Sequence, residues 1–231
     1  MVKEIAILMA AGLGNRMRPL TETRPKPLIE VHGRAMIKTV IEGLLQRPVE
    51  EIYIVTGYLG EQFQVLCERY PQVHILHNPE YLTKNNISSV YAAREVLGVA
   101  DCFICESDLY VADADVFKKE LTHSCYYGRM QRGYSDDWVF ELQGDYISRV
   151  GKGGKDTYNM VGVSYFKKED ALILREEIEK AYAIEENSDL FWDDVVNQNL
   201  DKLRLKVEPV AEGQIVEIDT VEELEKINES S

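Results

Sequence analysis

The residues best suited to chemistry gather near the start of the chain, in Ala10-Ala11-Gly12-Leu13-Gly14-Asn15-Arg16-Met17-Arg18-Pro19 and in Arg24-Pro25-Lys26-Pro27-Leu28. Glycines directly after an apolar run let backbone N–H groups approach and cradle an anion, and a following helix N-terminus strengthens that field. Two familiar anion loops are excluded by spacing. The third position after Gly14 is Met17, which breaks the dinucleotide fingerprint, and no Gly-Lys-Ser/Thr follows to make a P-loop. Alone, the loop reads either as a phosphate cradle or as a plain strand–helix turn. Arg16 and Lys26 shift the balance, because arginine grips oxygens in a fork and lysine acts as a point charge. The prolines flanking Lys26 restrict its backbone and predict an extended, pre-positioned segment. A second group stands far along the chain, in Ser135-Asp136-Asp137-Trp138 and Ser188-Asp189-Leu190-Phe191-Trp192-Asp193-Asp194, which hold the only two tryptophans. Aromatic faces beside negative charge suit a quaternary ammonium, each face contributing about 0.5–2 kcal/mol. Phe191 and Trp192 read equally as anchors of a helix in the core.

The elements around these residues follow an alternating pattern in the first half. Glu4–Met9 predicts a strand, Arg34–Leu45 a helix, Glu51–Thr56 a strand, Gly60–Tyr70 a helix, Val73–His77 a strand, Ile87–Leu97 a helix and Asp101–Cys105 a strand. Strands separated by helical stretches indicate βαβ units and a mostly parallel sheet. Their near-continuous apolar character (Ile5-Ala-Ile-Leu-Met9, Ile52-Tyr-Ile-Val55) fits strands covered on both faces. After about residue 120 the pattern changes to short strands at Ser124–Arg129, Trp138–Leu142, Tyr146–Val150 and Asn159–Phe166, with Gly144-Asp145 as a hairpin turn. Helices follow at Lys168–Ala183, Phe191–Asn199 and Val221–Asn228, the last with Thr220 as N-cap and Glu223 completing a capping box. The expected class is therefore α/β: a Rossmann-like, mostly parallel mixed sheet flanked by helices, with antiparallel strands added in the second half. A single domain, 1–231, is expected, with halves at 1–122 and 123–231.

Composition narrows the partners. The net charge of −14 argues against nucleic acid, because phosphate backbones call for basic footprints. Yet residues 1–38 carry seven Lys/Arg against three acids, a local +4 that leaves −18 on the remainder. A basic start on an acidic body indicates one polyanion site near the N-terminus and a cation or metal elsewhere. No apolar run reaches the roughly 18 residues of a membrane span. The apolar start after Met1-Val2-Lys3 runs straight into a Gly/Arg segment, unlike a signal peptide, which predicts a cytoplasmic protein. Cys102 and Cys105 spell C-x-x-C, but on a strand residues i and i+3 face opposite ways, so the pair cannot share a metal. Cys67 and Cys125 stand alone, and all four are expected to be buried, reduced thiols. His74 and His77 lack a helical context and are read as strand or surface residues.

The Ala10–Pro19 run followed by Lys26-Pro27-Leu28 resembles the opening signature of the sugar-nucleotide and cytidylyl pyrophosphorylase-type nucleotidyltransferases. By that resemblance the backbone of Ala10, Ala11, Gly12, Leu13 and Gly14 holds the triphosphate, with Arg16 and Lys26 as the catalytic cations. It also implies Mg²⁺ held by an aspartate after a mid-chain strand and an acid near the end. Asp108 in Cys105-Glu-Ser-Asp-Leu-Tyr110 stands at a strand end. Glu217 and Asp219, at i and i+2, share one face of an extended segment. Magnesium prefers such oxygen donors. The bland reading is that Asp219 precedes the last helix and Glu217 is a surface acid. Lys84-Asn-Asn-Ile-Ser-Ser-Val-Tyr91, Ser107-Asp-Leu-Tyr110, Asp189-Leu-Phe-Trp-Asp193 and Glu217-Ile-Asp219 are similar, in that order, to the bacterial CTP:phosphocholine cytidylyltransferases. That resemblance makes Asn86 and Ser88 base-side residues and places Tyr110, Trp138, Asp189, Trp192 and Glu217 around the acceptor. Two departures are Glu106, where aspartate is expected, and Phe191, where tyrosine is usual.

The expected reaction is transfer of a nucleotidyl group from CTP to phosphocholine with release of pyrophosphate, by in-line attack that needs alignment and charge neutralisation rather than a protein nucleophile. The alternatives are phosphoethanolamine or an aminophosphonate as acceptor, a hexose-1-phosphate nucleotidylyltransferase, or a catalytically silent nucleotide-sensing domain. A primary amine rewards carboxylates more than tryptophan faces, which separates the first alternative from phosphocholine. The oligomeric state is left open.

Overall fold

The computed structural model describes residues 3–230; the Met1-Val2 start and Ser231 lie outside them. In chain order the first half runs β1 (Glu4–Ala10), β2 (Glu30–Val31), β3 (Arg34–Ala35), α1 (Met36–Leu44), β4 (Val49–Thr56), α2 (Gln64–Arg69), β5 (Val73–His77), α3 (Ile87–Ala92), β6 (Asp101–Glu106) and β7 (Leu109–Val111). The second half runs β8 (Cys125–Gln143), β9 (Tyr146–Phe166), α4 (Lys168–Tyr182), α5 (Trp192–Gln198), β10 (Lys206–Val210), β11 (Ile215–Glu217) and α6 (Val221–Glu229).

A seven-stranded sheet ordered β10-β8-β9-β6-β1-β4-β5 forms the spine. Strands β6, β1, β4 and β5 are parallel, β9 joins β6 antiparallel, and β10 lies parallel to β8. Every residue of β1 is buried, which is why its sequence is continuously apolar. Ala6, Leu8 and Ala10 face one apolar layer with helix α1, while Ile5, Ile7 and Met9 face the other with α3, α4 and α5. The same alternation sends Cys105 into the first layer and Cys102 into the second, so the C-x-x-C pair is split by the sheet. Burial pushes both thiols up and keeps them protonated. Cys125 is likewise buried and free; Cys67 is free but half-exposed.

Differences from the sequence reading have local causes. Arg34 and Ala35 pair with Glu30 and Val31 as a small hairpin, so α1 starts at Met36. Helix α3 stops at Ala92 and continues as turns to Gly98, whose φ of +88° ends the run. Gly60–Phe63 is a 3-10 turn leading into α2. The four short strands expected after residue 124 lie within two continuous ones, β8 and β9. This ribbon bends on itself, so that Val139 and Phe140 pair on one side with Gly151 and Val150, and on the other with Asn159 and Tyr158. Among the described residues no helix is long and apolar enough to cross a membrane.

Candidate active site

Strands β1 and β6 pair as far as Met9↔Glu106, so the loops that follow leave the sheet side by side. Open α/β sheets bind ligands at this carboxyl edge. The Ser107 hydroxyl donates to the Met9 carbonyl at 2.5 Å and ties the two loops together. Between them opens a cleft of about 280 Å³ whose wall includes Ala11, Gly12, Gly14, Arg16, Lys26 and Asp108. Gly14 has φ +63°, and a Cβ there would stand 2.9 Å from both Lys26 Cβ and Thr21 Cγ2. Only glycine meets both demands, so the loop can pack down onto the lysine. Lys26 itself is not extended: Lys26–Leu28 forms a 3-10 turn with Pro27 in its opening turn. Proline is tolerated there because its missing N–H would have no partner inside the turn anyway.

The small antiparallel sheet of β7 and β11 pairs Leu109 with Glu217 and so carries the C-terminal acids to Asp108. Lys26 Nζ lies 2.6 Å from Asp108 Oδ2 and 2.6 Å from Asp219 Oδ1, and Arg16 Nη1 lies 2.6 Å from Asp219 Oδ2. Thr220, not Asp219, caps α6, accepting from the Glu223 N–H while Glu223 reaches back. The Asp219 side chain is thereby left for the two cations. Burial alone would lower the Lys26 ammonium, but Asp108 and Asp219 outweigh it and hold the group above the ordinary lysine value.

One carboxylate oxygen from each of Asp108, Glu217 and Asp219 lies within 4.8 Å of the others. Asp108 Oδ1 is buried with no hydrogen-bond partner among the described residues. An all-carboxylate set with an unpaired buried oxygen fits a hard divalent cation. Glu217 is exposed to solvent yet set in a crowded cleft. Desolvation there, and then the charges of Asp108 and Asp219, push its carboxyl up to about 7, a shift that solvent at its exposed face reduces.

Comparison with known proteins places this geometry. The model of the MobA-like NTP transferase domain matches residues 6–139, more than half of the chain. The protein belongs to that family. Its whole length is also similar to cytidylyltransferases. It is 52% identical to the 2-aminoethylphosphonate cytidylyltransferase of Lancefieldella rimae over 96% of this chain and 91% of that one. It is 35% identical to the choline-phosphate cytidylyltransferase of Streptococcus pneumoniae over 97% of this chain and 96% of that one. The solved structure of the Streptococcus pneumoniae CTP:phosphocholine cytidylyltransferase superposes with a TM-score of 0.89 at 32% identity, covering 99% of both chains. The chain is thus a nucleotidyltransferase of the cytidylyltransferase group.

Beside the cleft this MobA-like transferase has a second, smaller space that shares Met9 and Glu106 with it. This recess, about 10 Å³, is closed by Glu106, Tyr126, Met160, Gly162, Trp192 and Asp193. That is room for one water-sized group. Gly162 (φ +74°) makes space for Glu106, since a Cβ there would stand 3.2 Å from Glu106 Cβ. The Tyr126 hydroxyl donates to Asp193 Oδ1 at 2.9 Å. Burial, and next Asp194, push the Asp193 carboxyl up to about 7 against that hydrogen bond. Burial, then Asp108, Asp193 and Glu217, push Glu106 well above the carboxylate range. The buried indole N–H of Trp192 has no acceptor among the described residues.

Several sequence-predicted residues sit elsewhere. Ser88 is buried, accepting from Asn78 Nδ2 and donating to the Asn85 carbonyl; its neighbour Ser89 is the one at the cleft wall, together with Asn86. Ala10 lines the cleft, whereas Leu13 is not part of its wall. Tyr110 packs edge-on to His32 in a separate small cluster with Met17 and Ile218. Trp192 is a core residue stacked on Tyr126, Trp138 meets the edge of Phe191 at 5.4 Å, and Asp189 is exposed. Of the acceptor-side set only Trp192 lines the recess. The recess residues Tyr126 and Asp193 were not singled out from sequence as site residues, and Glu106 only as a departure. The sole available signal was an acid at each of two separate strand and helix ends.

Proposed function

We propose that the protein transfers the cytidylyl group of CTP to a small phosphonate or phosphate bearing a primary ammonium, and that 2-aminoethylphosphonate is its acceptor. The observation carrying this is the recess between Glu106 and Asp193. Two buried carboxylates call for a cation, and room for one water-sized group suits –NH₃⁺ rather than a nitrogen clothed in three methyl groups. The 52% identity to an enzyme named for that acceptor supports the same reading. The phosphocholine expectation rested on aromatic faces. Trp192 is committed to the core, however, and Lys152 Nζ stands 5.5 Å over the Phe191 ring beside Trp138, so a resident cation already occupies that aromatic pair.

In this reading the residues of 1–122 hold the triphosphate and those of 123–231 close around the acceptor, Glu106 standing between. The loop backbone of Ala11, Gly12 and Gly14, with Arg16, grips the triphosphate. Lys26 neutralises charge on the phosphate under attack. A phosphonate oxygen attacks the α-phosphorus, forming a P–O bond as the bond to the β-phosphate breaks, and pyrophosphate carries away the electron pair. Mg²⁺ held by Asp108, Asp219 and Glu217 supplies further charge neutralisation of the triphosphate when bound. Glu106 and Asp193 fix the ammonium end and thereby aim the phosphonate end.

The test is pyrophosphate release from CTP and Mg²⁺ with 2-aminoethylphosphonate, phosphoethanolamine, phosphocholine and glucose-1-phosphate. The expected order puts 2-aminoethylphosphonate first and phosphocholine at least about tenfold lower in kcat/KM, as for a misfit in a charged, desolvated site. Phosphocholine as the best acceptor sinks the primary-ammonium reading; no turnover with any acceptor sinks the transferase reading in favour of a nucleotide sensor.

A further inference from the structure

Asn86 belongs to two sites at once. It lines the nucleotide cleft, and its side-chain oxygen accepts from the Trp192 backbone N–H at 3.0 Å. Trp192 opens α5, and the next residue, Asp193, closes the ammonium recess. Asn85 grips the chain just upstream. Its N–H donates to the Ser188 carbonyl at 2.7 Å and its Nδ2 to the Asp189 carbonyl at 3.1 Å. Lys84 Nζ stands 3.7 Å over the Tyr182 ring, which stacks on Tyr91 at 3.7 Å. The connection between α4 and α5 offers little else to hold it, since Ala183 to Glu186 are exposed and polar contacts from residues 84–86 recur along it. Segments with few buried contacts and exposed backbone sit at the low end of local stability. The first turn of α5 is therefore suspended between Tyr126 on the acceptor side and Asn86 on the nucleotide side.

We propose that Asn85 and Asn86 form a strap that makes acceptor binding conditional on the nucleotide. A nucleotide in the cleft fixes Asn86; Asn86 fixes the Trp192 N–H; the first turn of α5 then presents Asp193 in register with Glu106. CTP binds before the acceptor, and each ligand tightens the other by the same factor, as linkage requires. Both asparagines are positioning residues for the acceptor. This rests on the reading that Asp193 receives the acceptor's ammonium.

Calorimetric titration of 2-aminoethylphosphonate, with and without Mg²⁺ and an α,β-methylene analogue of CTP, measures the coupling directly. In the unaltered protein the analogue tightens acceptor binding about tenfold or more, within the usual range of coupling. Asn85→Ala, away from the cleft wall, and Asn86→Ala each reduce the coupling to less than about threefold, the loss of one hydrogen bond of ordinary strength. Asn86→Asp keeps an oxygen for the Trp192 N–H and retains the coupling, even though its charge weakens nucleotide binding. A merely structural asparagine would lower thermal stability in all three variants without that split. Coupling that is absent from the unaltered protein, or that survives in both alanine variants, overturns the strap. Asp193→Asn separates the two ideas. If it leaves acceptor affinity unchanged, the ammonium recess fails and the strap with it; if it abolishes acceptor affinity while the alanine variants keep full coupling, only the strap fails.

Discussion

The nucleotide cleft and the ammonium recess share a wall at Met9 and Glu106, yet they are assembled in opposite ways. The cleft is open, about 280 Å³, and much of its lining comes from one stretch of chain, residues 9–16, plus the Lys26 turn. An anion can be held by backbone N–H groups and flexible cations that need little burial, so a local segment suffices. The recess has room for a single small group, and its wall draws on β6, β8, β9 and α5. Buried carboxylates are costly unless a cation or donor meets them, so such a site needs rigid elements from distant parts of the chain around it. The comparison teaches that specificity for the acceptor resides in the non-local half of the site, while nucleotide handling resides in the local half.

The sharpest way to break that division is Lys26→Ala. Lys26 sits where the local loop meets the distant carboxylates, and its removal leaves Asp108 and Asp219 uncompensated. A fall of about a thousandfold in kcat is expected, as for loss of a transition-state electrostatic partner. Equal turnover in the variant, followed by pyrophosphate release, would remove Lys26 from the chemistry. Next in size is Asp193→Asn, expected to raise acceptor KM about 10–100-fold while CTP KM stays within about twofold, since a buried charge partner of the ammonium is lost. A parallel rise in CTP KM contradicts the division of labour.

The same substitution carries a pH signature. Asp193 is faced by Tyr126 from β8, Glu106 from β6 and Asp194 on its own helix. Its carboxyl titrates at about 7 when folded, above its ordinary value, so the native state binds the extra proton. Stability of the ligand-free protein therefore falls as pH rises through the window from about 4 to 7. Thermal melts across that window should lose about one proton's worth of slope in Asp193→Asn. An unchanged slope means that Asp193 is already ionised. Glu106 has the same sign and accounts for the slope that remains.

Smaller effects sharpen the comparison. Gly14→Ala is expected to cost about 1–3 kcal/mol through its positive φ, and to reduce turnover further by displacing Lys26. A melt within error of the unaltered protein would show that the loop relaxes freely. Trp138→Ala should change acceptor KM by less than about threefold, because the ring packs on Phe191 outside the recess. A tenfold or larger rise restores the aromatic cation box.

Local physics made much of this protein legible. Val73–His77 appears as a strand with the expected bounds, and the Thr220/Glu223 capping box starts α6 as expected, because both depend on neighbours a few residues away. The split of Cys102 and Cys105 follows from strand periodicity alone. Ser88 and Ser89 show where that reach ends: adjacent helical positions differ by about a third of a turn, and only packing decides which one meets the cleft. The four short strands after residue 124 carried no signal that they would run on as a ribbon pairing on both sides of Val139 and Phe140.

The sequence by itself determined the α/β class, the glycine loop with its cations, and the presence of acids at Asp108, Glu217 and Asp219. Each is written in residue type and short spacing. Only the tertiary structure decided that Lys26 bridges Asp108 and Asp219, that Trp192 belongs to the core, and that Glu106 and Asp193 close a recess sized for one small cation. Those outcomes depend on strand order and on which helix face packs inward, and these are settled by burial summed over the whole chain rather than by any local stretch of it.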